Sequence, residues 1–426
     1  MHTMTSPLPL SEEIVHELPK VLLHDHLDGG LRPSTIIELA ADCGYGDLPT
    51  TNPTKLKQWF FDAANSGSLP KYLETFAHTC AVMQTAQAIE RVACEAVEDL
   101  AADNVIYAEL RFAPEQHQEA GLTLQEVVDA AVRGVDKGVA VVADMGKTIY
   151  VRLILCGMRH AERTAEIAQL MVDNYQPGGT IAGYDIAGAE DGFLPSKHAE
   201  AFALLRENFV PFTIHAGEAA GLESLESAVR QGTCRIGHGA RIYEDISADM
   251  SGITLGRMAS YVCDRRIPLE LCPTSNVQTG VVDNLLDHPF PLLYELGFSC
   301  TVNTDNRLVS DTTMTKEMMV LVDAFDFGLG ELYELTLNAI RSAFIPQQLR
   351  EEIIGALIDP AYEELLVKHG FASEDAVLNQ TGSIAPHEDH AGGLGQLTQD
   401  DLDAIDPQTL ADLGIDLKDL GLDNQK

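Results

Sequence analysis

A His-x-His pair near the start of the chain could begin a metal site. An apolar run at 21–23 leads directly into His24 and His26. Residues two apart on a β-strand point to the same face, so a strand over 21–26 would present both imidazoles on one side. Neutral imidazole is a common zinc ligand. The spacing therefore predicts half of a metal site, although the same spacing also occurs in ordinary loops.

Other side chains suited to chemistry follow other β-rich runs. His215 and Glu218 follow one run, His238 ends the next, and Asp305 follows the last. Three imidazoles, from the His-x-His pair and His215, could hold a zinc ion together with the carboxylate of Asp305 and leave room for a water molecule. The residue types therefore predict a metal centre assembled from distant parts of the chain.

The chemistry that such a set favours is metal-assisted hydrolysis. Zinc lowers the pKa of a bound water towards neutrality and supplies hydroxide. His238 could orient or deprotonate that water, and Glu218 could carry a proton to the group under attack. A related design uses two metals bridged by a modified lysine on the fourth strand, but the run 181–186 contains no lysine. We therefore expect one zinc ion per chain.

The elements that would position these residues alternate between β-rich runs and helical stretches. The runs predicted as strands are 21–26, 105–111, 148–155, 181–186, 211–215, 234–238, 267–271 and 299–304. Helical patterns lie between them, for example at 54–102, 123–143, 161–175, 198–209, 222–231 and 252–265. Strands that alternate with helices predict a parallel sheet. Eight such units over roughly 300 residues predict an α/β fold, a (β/α)8 TIM barrel with extra helices.

A barrel would explain how the candidate ligands meet, because barrel active sites gather at the carboxyl ends of the strands. A doubly wound sheet is the alternative, but it favours a Gly-rich first turn, and the G-x-G-x-x-G pattern is absent from the sequence. Trp59 and Phe60 would then be either core residues or part of a lid over the pocket, and large apolar side chains are more often core.

Composition excludes several classes of partner. The 426 residues carry a net charge of −37, which argues against nucleic acid or an anionic membrane as a partner. We find neither a signal-peptide pattern nor an apolar stretch long enough to cross a membrane. The 8 cysteines lack C-x-x-C spacing and predict reduced thiols in a cytoplasmic protein. Nothing in the sequence indicates the oligomeric state.

The character of the chain changes near its end. We expect residues 1–380 to form the hydrolase barrel, 381–397 to form a linker rich in Gly and Pro, and 398–426 to form an acidic tail that is partly helical or disordered.

Six motifs resemble the signatures of the adenosine deaminase family of metal-dependent hydrolases. They are HDHLDGGLRP at 24–33, GYDIAGAE at 183–190, IHAGE at 214–218, RIGHG at 235–239, LCPTSN at 271–276 and VNTDN at 302–306. The order and gaps also match, over about residues 10–360. The resemblance implies a zinc barrel that converts adenosine, or 2′-deoxyadenosine, and water to inosine, or deoxyinosine, and ammonia in purine salvage.

The resemblance also implies a role for each site residue. The zinc ligands would be His24, His26, His215 and Asp305. Glu218 would donate a proton to purine N1, and His238 would hold and activate the attacking water with help from Asp305. The residues facing the substrate would be His26, Asp28, Gly188 and Asn306.

The resemblance implies a specific substrate contact for Gly188 and for Asp28. Two other residues, Asn306 and Gly30, depart from the family pattern. Gly188 would donate its N–H to purine N3, and Asp28 would bind the ribose 5′-hydroxyl. Nucleobase-only relatives tend to carry glutamate there, so Asp28 favours a nucleoside. Asn306 replaces a second aspartate, but an amide always offers an N–H, so it could still donate to purine N7. Gly30 replaces a small non-glycine residue and would enlarge the ribose side.

Two other functions stay open on the sequence alone. The chain could deaminate another 6-aminopurine, such as adenine or a 5′-modified adenosine. It could also be a catalytically silent purine-binding or interaction module. Because Glu218 and every predicted ligand are present, the sequence favours an enzyme that acts on a small purine nucleoside.

Overall fold

The computed structural model describes residues 10–65, 69–250 and 252–369. The strands within these residues are β1 (Lys20–His26), β2 (Val105–Phe112), β3 (Tyr150–Met158), β4 (Ile181–Ala187), β5 (Thr213–Ala216), β6 (Arg235–His238), β7 (Ile246–Asp249), β8 (Gly252–Leu255), β9 (Leu269–Leu271) and β10 (Cys300–Val302). Eight of them form two parallel four-stranded sheets, in the orders β1-β2-β3-β4 and β10-β9-β6-β5.

Two single bridges join these sheets into a closed barrel. Asp25 of β1 pairs with Asp305 just beyond β10, and Tyr184 of β4 pairs with Phe212 just before β5. Closure leaves no free edge between the eight parallel strands. The predicted (β/α)8 barrel is confirmed, and the candidate ligands lie at the carboxyl ends of its strands.

The α-helices of the described residues follow the strands in the expected alternation. They are α1 (Glu12–Glu17), α2 (Pro33–Cys43), α3 (Pro53–Ala64), α4 (Leu69–Glu74), α5 (Phe76–Val82), α6 (Ala86–Ala102), α7 (Leu124–Asp144), α8 (Thr164–Asn174), α9 (Ala199–Glu207), α10 (Leu222–Gln231), α11 (Arg257–Asp264), α12 (Pro273–Gln278), α13 (Phe290–Glu295), α14 (Met314–Phe325), α15 (Leu329–Ser342), α16 (Gln347–Ile353) and α17 (Asp359–Lys368). Helix α7 begins with a capping box of Thr123 and Glu126, a local signal that satisfies two backbone N–H groups.

The segment 246–265 differs from the prediction. A helix was expected over 252–265, but β7 and β8 form an antiparallel hairpin there, and α11 begins only at Arg257. The carboxylate of Asp245 accepts hydrogen bonds from the backbone N–H groups of Met258 and Ala259, which fixes the later start. The stretch 54–102 is likewise divided, into α3, α4, α5 and α6.

The predictions for the last part of the chain concern a domain boundary, a linker and a tail. The boundary at 380, the linker 381–397 and the acidic tail 398–426 lie outside the described residues. Across the part of the chain that is described, each helix is either too short or too polar to cross a membrane.

Candidate active site

The four residues predicted as metal ligands come together at the carboxyl ends of three strands. His24 and His26 end β1, His215 lies in β5, and Asp305 follows β10. One possible ligand atom from each lies within 4.8 Å of the others, and all four residues are buried. The barrel therefore gathers side chains that are far apart in the sequence into a group that could hold one metal ion.

The possible ligand atoms converge on the same space. Nε2 of His24 lies 3.3 Å from Oδ1 of Asp305, and Nε2 of His26 lies 3.5 Å from the same oxygen. Nε2 of His26 is also 3.2 Å from Nε2 of His215. Nε2 of His24 is buried and makes no hydrogen bond, although buried polar atoms are nearly always paired. A cation at the centre would satisfy this nitrogen.

Carboxylates behind two of the histidines set which nitrogen faces the centre. Nδ1 of His24 lies 2.8 Å from Oε2 of Glu270, and Nδ1 of His215 lies 2.7 Å from Oδ2 of Asp185. A carboxylate at Nδ1 keeps the ring proton there and turns the Nε2 lone pair towards a metal. Asp185 was not among the site residues predicted from the sequence, and its contact with His215 gives it a supporting role in the site.

A buried arginine keeps both of these carboxylates ionised. Arg111 lies 2.6 Å from Asp185 and 2.8 Å from Glu270. Burial alone would raise the pKa of Glu270, but Arg111 and Arg235 hold it well below its usual range. Burial also opposes ionisation of Asp185, yet His215 and Arg111 lower its pKa to about 2. Arg111 therefore supports His24 and His215 indirectly, through the carboxylates that contact their rings.

Three nitrogen donors and one carboxylate fit a zinc ion. Zinc sites combine imidazole and carboxylate ligands, and catalytic sites leave a position open for water. Burial lowers the pKa of His26 well below its usual value, so the ring is neutral and able to ligate. The donor set and its orientation therefore match the cofactor that was predicted.

Glu218 and His238 lie beside this group. Nε2 of His238 is 3.7 Å from Oε2 of Glu218, and both residues have a polar atom within 4.8 Å of one on Asp305. Burial raises the pKa of Glu218 well above its ordinary value, and the charges of Asp305 and Glu190 add to the rise. The shift favours the protonated form of Glu218, which is the form able to donate a proton.

Glu190 holds the loop that carries Glu218. Its carboxylate accepts hydrogen bonds from four consecutive backbone N–H groups, those of Gly217, Glu218, Ala219 and Ala220, at 2.7, 3.0, 2.6 and 2.9 Å. Glu190 follows β4 in the sequence, yet its carboxylate orders the loop after β5. Gly217 adopts a left-handed φ of 75°, and a Cβ there would lie 2.8 Å from Leu225 side-chain atoms.

A cavity of about 480 Å³ opens beside the metal group and reaches the substrate-side residues. Its lining includes His26, Asp28, Leu73, Phe76, Cys80 and Gly188. The volume suits a small organic ligand. Among the described residues that line it, Leu73, Phe76 and Met158 supply the large apolar side chains, and several alanines supply the rest of the apolar wall. Phe60 is instead fully buried in the core and Trp59 packs against that core, which supports the core interpretation.

Asp28 is buried at the edge of this cavity. Burial raises its pKa to about 7, and its Oδ1 makes no hydrogen bond. Nε2 of His117 lies 4.0 Å from Oδ2 of Asp28. His117 is fully buried behind Asp28 and is a neighbour of the site that the sequence did not indicate. Asp28 also lines the cavity, and a buried carboxyl group with an unpaired oxygen favours a ligand that can hydrogen-bond to it.

The two departures from the family pattern have different surroundings. Asn306 is buried, and a Cβ on Gly29 would lie 2.0 Å from its Oδ1. A Cβ on Gly30 would lie 2.5 Å from Nη2 of Arg307, which pairs with Asp25 at 3.0 Å. The space at Gly30 is therefore taken by Arg307, and the expectation that Gly30 enlarges the ribose side is wrong.

Two residues of α12 support the metal group and His238. Ser275 donates its hydroxyl to Oδ2 of Asp305 at 2.6 Å, and Nδ2 of Asn276 lies 3.1 Å from Nδ1 of His238. The cap of α12 falls at Cys272, without a side-chain hydrogen bond. Sequence reasoning missed these contacts because capping residues and site residues have the same amino-acid types.

Comparison with a family profile and comparison with named relatives indicate the same family. The profile of the family described as adenosine deaminase matches residues 19–360. A protein of Mycobacterium sp. (strain JLS), named adenosine deaminase, is 53% identical over 364 residues, which is 85% of this chain and 99% of the relative.

Solved structures share the fold. An adenine deaminase from Arthrobacter aurescens is 26% identical with a TM-score of 0.69, covering 82% of this chain and 99% of its own. An amidohydrolase from Burkholderia ambifaria with bound zinc is 23% identical with a TM-score of 0.73, covering 87% of this chain and 98% of its own. At that identity, the second likeness concerns the fold alone.

Proposed function

The chain belongs to the adenosine deaminase family and is a metal-dependent aminohydrolase that deaminates adenosine, and on that premise we propose how its residues do so. Water adds to C6 of the purine, and the 6-amino group leaves as ammonia, so that adenosine gives inosine and 2′-deoxyadenosine gives deoxyinosine. The observation that carries this proposal is the buried acid Glu218 beside the four predicted ligands.

We propose that one zinc ion per chain occupies the group of His24, His26, His215 and Asp305. When bound, zinc acidifies a water molecule and so supplies the attacking oxygen near neutral pH. Support comes from His24 and His215. Glu270 and Asp185 contact their Nδ1 atoms, so that the Nε2 lone pairs point towards the centre of the group. The unpaired Nε2 of His24 also supports the assignment.

Glu218 is proposed as the proton donor to purine N1. Transfer of its carboxyl proton to N1 withdraws electron density from the ring and makes C6 electrophilic. The raised pKa of Glu218 supports this role, because an ionised carboxylate would have no proton to give. His238 and Asp305 would hold the attacking water opposite C6.

The cavity supports a nucleoside as substrate. We propose that His26, Asp28, Gly188 and Asn306 contact it, with Asp28 at the ribose 5′-hydroxyl, the Gly188 N–H at N3 and the Asn306 amide at N7. Gly188 has a left-handed φ of 98° and lines the cavity. Among the described lining residues, the charged groups other than histidine are Asp28 and Glu119. A 5′-phosphate would therefore meet acidic groups and no arginine or lysine.

The test is ammonia release by the purified protein from adenosine, 2′-deoxyadenosine, adenine, 5′-methylthioadenosine and 7-deazaadenosine, with metal content measured on the same sample. We expect adenosine and 2′-deoxyadenosine to be turned over fastest. Turnover confined to adenine or to 5′-methylthioadenosine would contradict the proposal. Asn306→Ala should reduce the preference for adenosine over 7-deazaadenosine, and an unchanged preference would remove the N7 contact.

We also propose a cytoplasmic location and a role in purine salvage. The 8 cysteines are all free thiols in the structure, which is typical of a reducing compartment. Alkylation of the freshly isolated, denatured protein should modify all of them, whereas protected pairs would contradict a reducing compartment.

A further inference from the structure

A line of hydrogen bonds runs from His238 away from the metal group. Nδ1 of His238 lies 3.1 Å from Nδ2 of Asn276, and Oδ1 of Asn276 lies 3.1 Å from Nε2 of His288. Nδ1 of His288 lies 3.0 Å from the backbone nitrogen of Phe290. All three side chains are buried, so water does not compete for these contacts.

The backbone N–H of Phe290, at the end of this line, determines which group donates in each of the hydrogen bonds. A backbone N–H can only donate, so Nδ1 of His288 must be the acceptor of the Phe290 N–H. Burial lowers the pKa of His288 to about 3, so the ring is neutral and carries one proton, at Nε2. That proton is donated to Oδ1 of Asn276, which leaves the amide NH2 of Asn276 facing His238.

An NH2 group facing Nδ1 requires a lone pair on that nitrogen. The single ring proton of neutral His238 is then on Nε2, the nitrogen that lies 3.7 Å from Glu218. The arrangement is the opposite of that at His24 and His215, whose Nδ1 atoms face carboxylates and whose Nε2 atoms carry lone pairs. This difference favours His24 and His215 over His238 as ligands, although the ring centre of His238 is 4.7 Å from that of His24.

We propose that His288 and Asn276 are positioning residues that fix His238 as its Nε2–H tautomer, so that His238 donates a hydrogen bond to the attacking oxygen and does not remove its proton. The inference deepens the proposed function and rests on it for the identity of the attacking oxygen. His238 then orients that oxygen and stabilises the negative charge that develops on it. A preorganised donor of this kind is a large contributor to catalysis.

Asn276→Asp is the most informative change. A carboxylate can accept from both neighbouring histidines, so it keeps the link to His288 but makes Nδ1 of His238 a donor. The Nε2 atom of His238 then presents a lone pair. Gln278→Glu is the matched control, because it adds a carboxyl to the same helix, α12, at a buried residue that makes no hydrogen bond to His238.

The readout is the ¹⁵N chemical shift of the His238 ring nitrogens in the zinc-loaded protein, assigned by comparison with His238→Gln. We expect Nε2–H in the wild type and in Gln278→Glu, and Nδ1–H in Asn276→Asp. The loss of the donor should lower kcat for adenosine by about 10²- to 10³-fold in Asn276→Asp with metal content unchanged. A wild-type Nδ1–H tautomer, or a kcat within about threefold of wild type for a shifted tautomer, would overturn the inference.

His288→Phe gives a second route should Asn276→Asp fold poorly. It removes the group that orients the Asn276 amide and places no new charge in the barrel. We expect a mixture of His238 tautomers and a lower kcat, whereas a pure Nε2–H tautomer would show that His288 has no such role. The tautomer is read without any turnover, so an enzyme inactive on every aminopurine would refute the proposed function and leave this inference to be judged separately.

Discussion

His24 and Asp305 are joined twice. The backbone N–H of Asp305 donates to the carbonyl of His24 at 2.9 Å, and the side chains meet with 3.3 Å between Nε2 and Oδ1. Asp305 has a left-handed φ of 58°, an uncommon conformation for a residue with a side chain. Its carbonyl also accepts from the N–H of His26 at 2.7 Å. The backbone hydrogen bonds that close the barrel between β1 and the residues after β10 therefore also place His24 and His26 next to Asp305.

Removal of the acid tests the role of Glu218. Glu218→Gln keeps the size of the side chain but cannot donate a carboxyl proton to N1, so we expect kcat to fall about 10²- to 10⁴-fold. Metal content should not change. Glu115→Gln, at a buried carboxylate bound to the Met158 N–H at 2.6 Å, is the control and should keep most of the activity. Comparable kcat values for the two variants would remove Glu218 from the reaction.

The contact of Asp28 with the ribose can be isolated by changing the substrate. Asp28→Ala should raise KM for adenosine by roughly tenfold or more, because a hydrogen bond to an ionisable group is worth about 1.5–3 kcal/mol. For 5′-deoxyadenosine, which lacks the hydroxyl, wild type and variant should have similar KM values. If both substrates lost affinity equally, Asp28 would act on the fold of the site and not on the 5′-hydroxyl.

Glu190, whose carboxylate accepts from four backbone N–H groups, should be required for full turnover. In Glu190→Gln one oxygen becomes an NH2 group, which cannot accept from the N–H groups that hold Glu218 in place. We expect kcat to fall at least tenfold with a smaller change in KM, and the effect to disappear in a Glu218→Gln background.

Asp245→Asn is the control for Glu190→Gln, because it weakens another carboxylate that accepts two backbone N–H groups at the start of α11. It should lower the melting temperature and leave kcat unchanged. Equal kcat losses in the presence and absence of Glu218 would mean that Glu190 supports the fold in general.

Glu317 gives a prediction for the pH dependence of stability. It is fully buried between Thr274 and Thr312, and burial raises its pKa to about 7 from a usual value of 4.5. The folded state therefore binds this proton more tightly than the unfolded state does. The resulting stability is fully present below pH 4.5 and is lost as the pH rises through 7.

Glu317→Gln removes that titration. Between pH 4 and pH 8 the variant should gain about 3 kcal/mol in unfolding free energy relative to wild type, since each pKa unit corresponds to about 1.4 kcal/mol. Urea unfolding at a series of pH values measures the difference. Parallel curves for the two proteins across this range would show that folding does not shift the pKa of Glu317.

Much of the fold was predictable because hydrophobic periodicity and strand-helix alternation are local signals. The His-x-His pair indicated its own geometry, since a period of two places His24 and His26 on one face. The hairpin of β7 and β8 was missed because a short β-rich run beside α11 has no distinct period.

The supporting residues were harder to identify. Glu270 interrupts an apolar strand, which is a signal that could have been used, because a buried charge needs a partner. His288 gave no such signal. Its role depends on a backbone N–H two residues away and on an amide twelve residues earlier, and only the tertiary structure brings these groups together.

One zinc ion, held by His24, His26, His215 and Asp305, is proposed to turn water into the reagent that displaces ammonia from adenosine. The direct measurement is zinc titration of chelator-treated protein while adenosine turnover is followed. We expect negligible turnover without metal and a linear rise that stops at one zinc per chain. Full turnover in metal-free protein, or a rise that continues to two ions per chain, would contradict it.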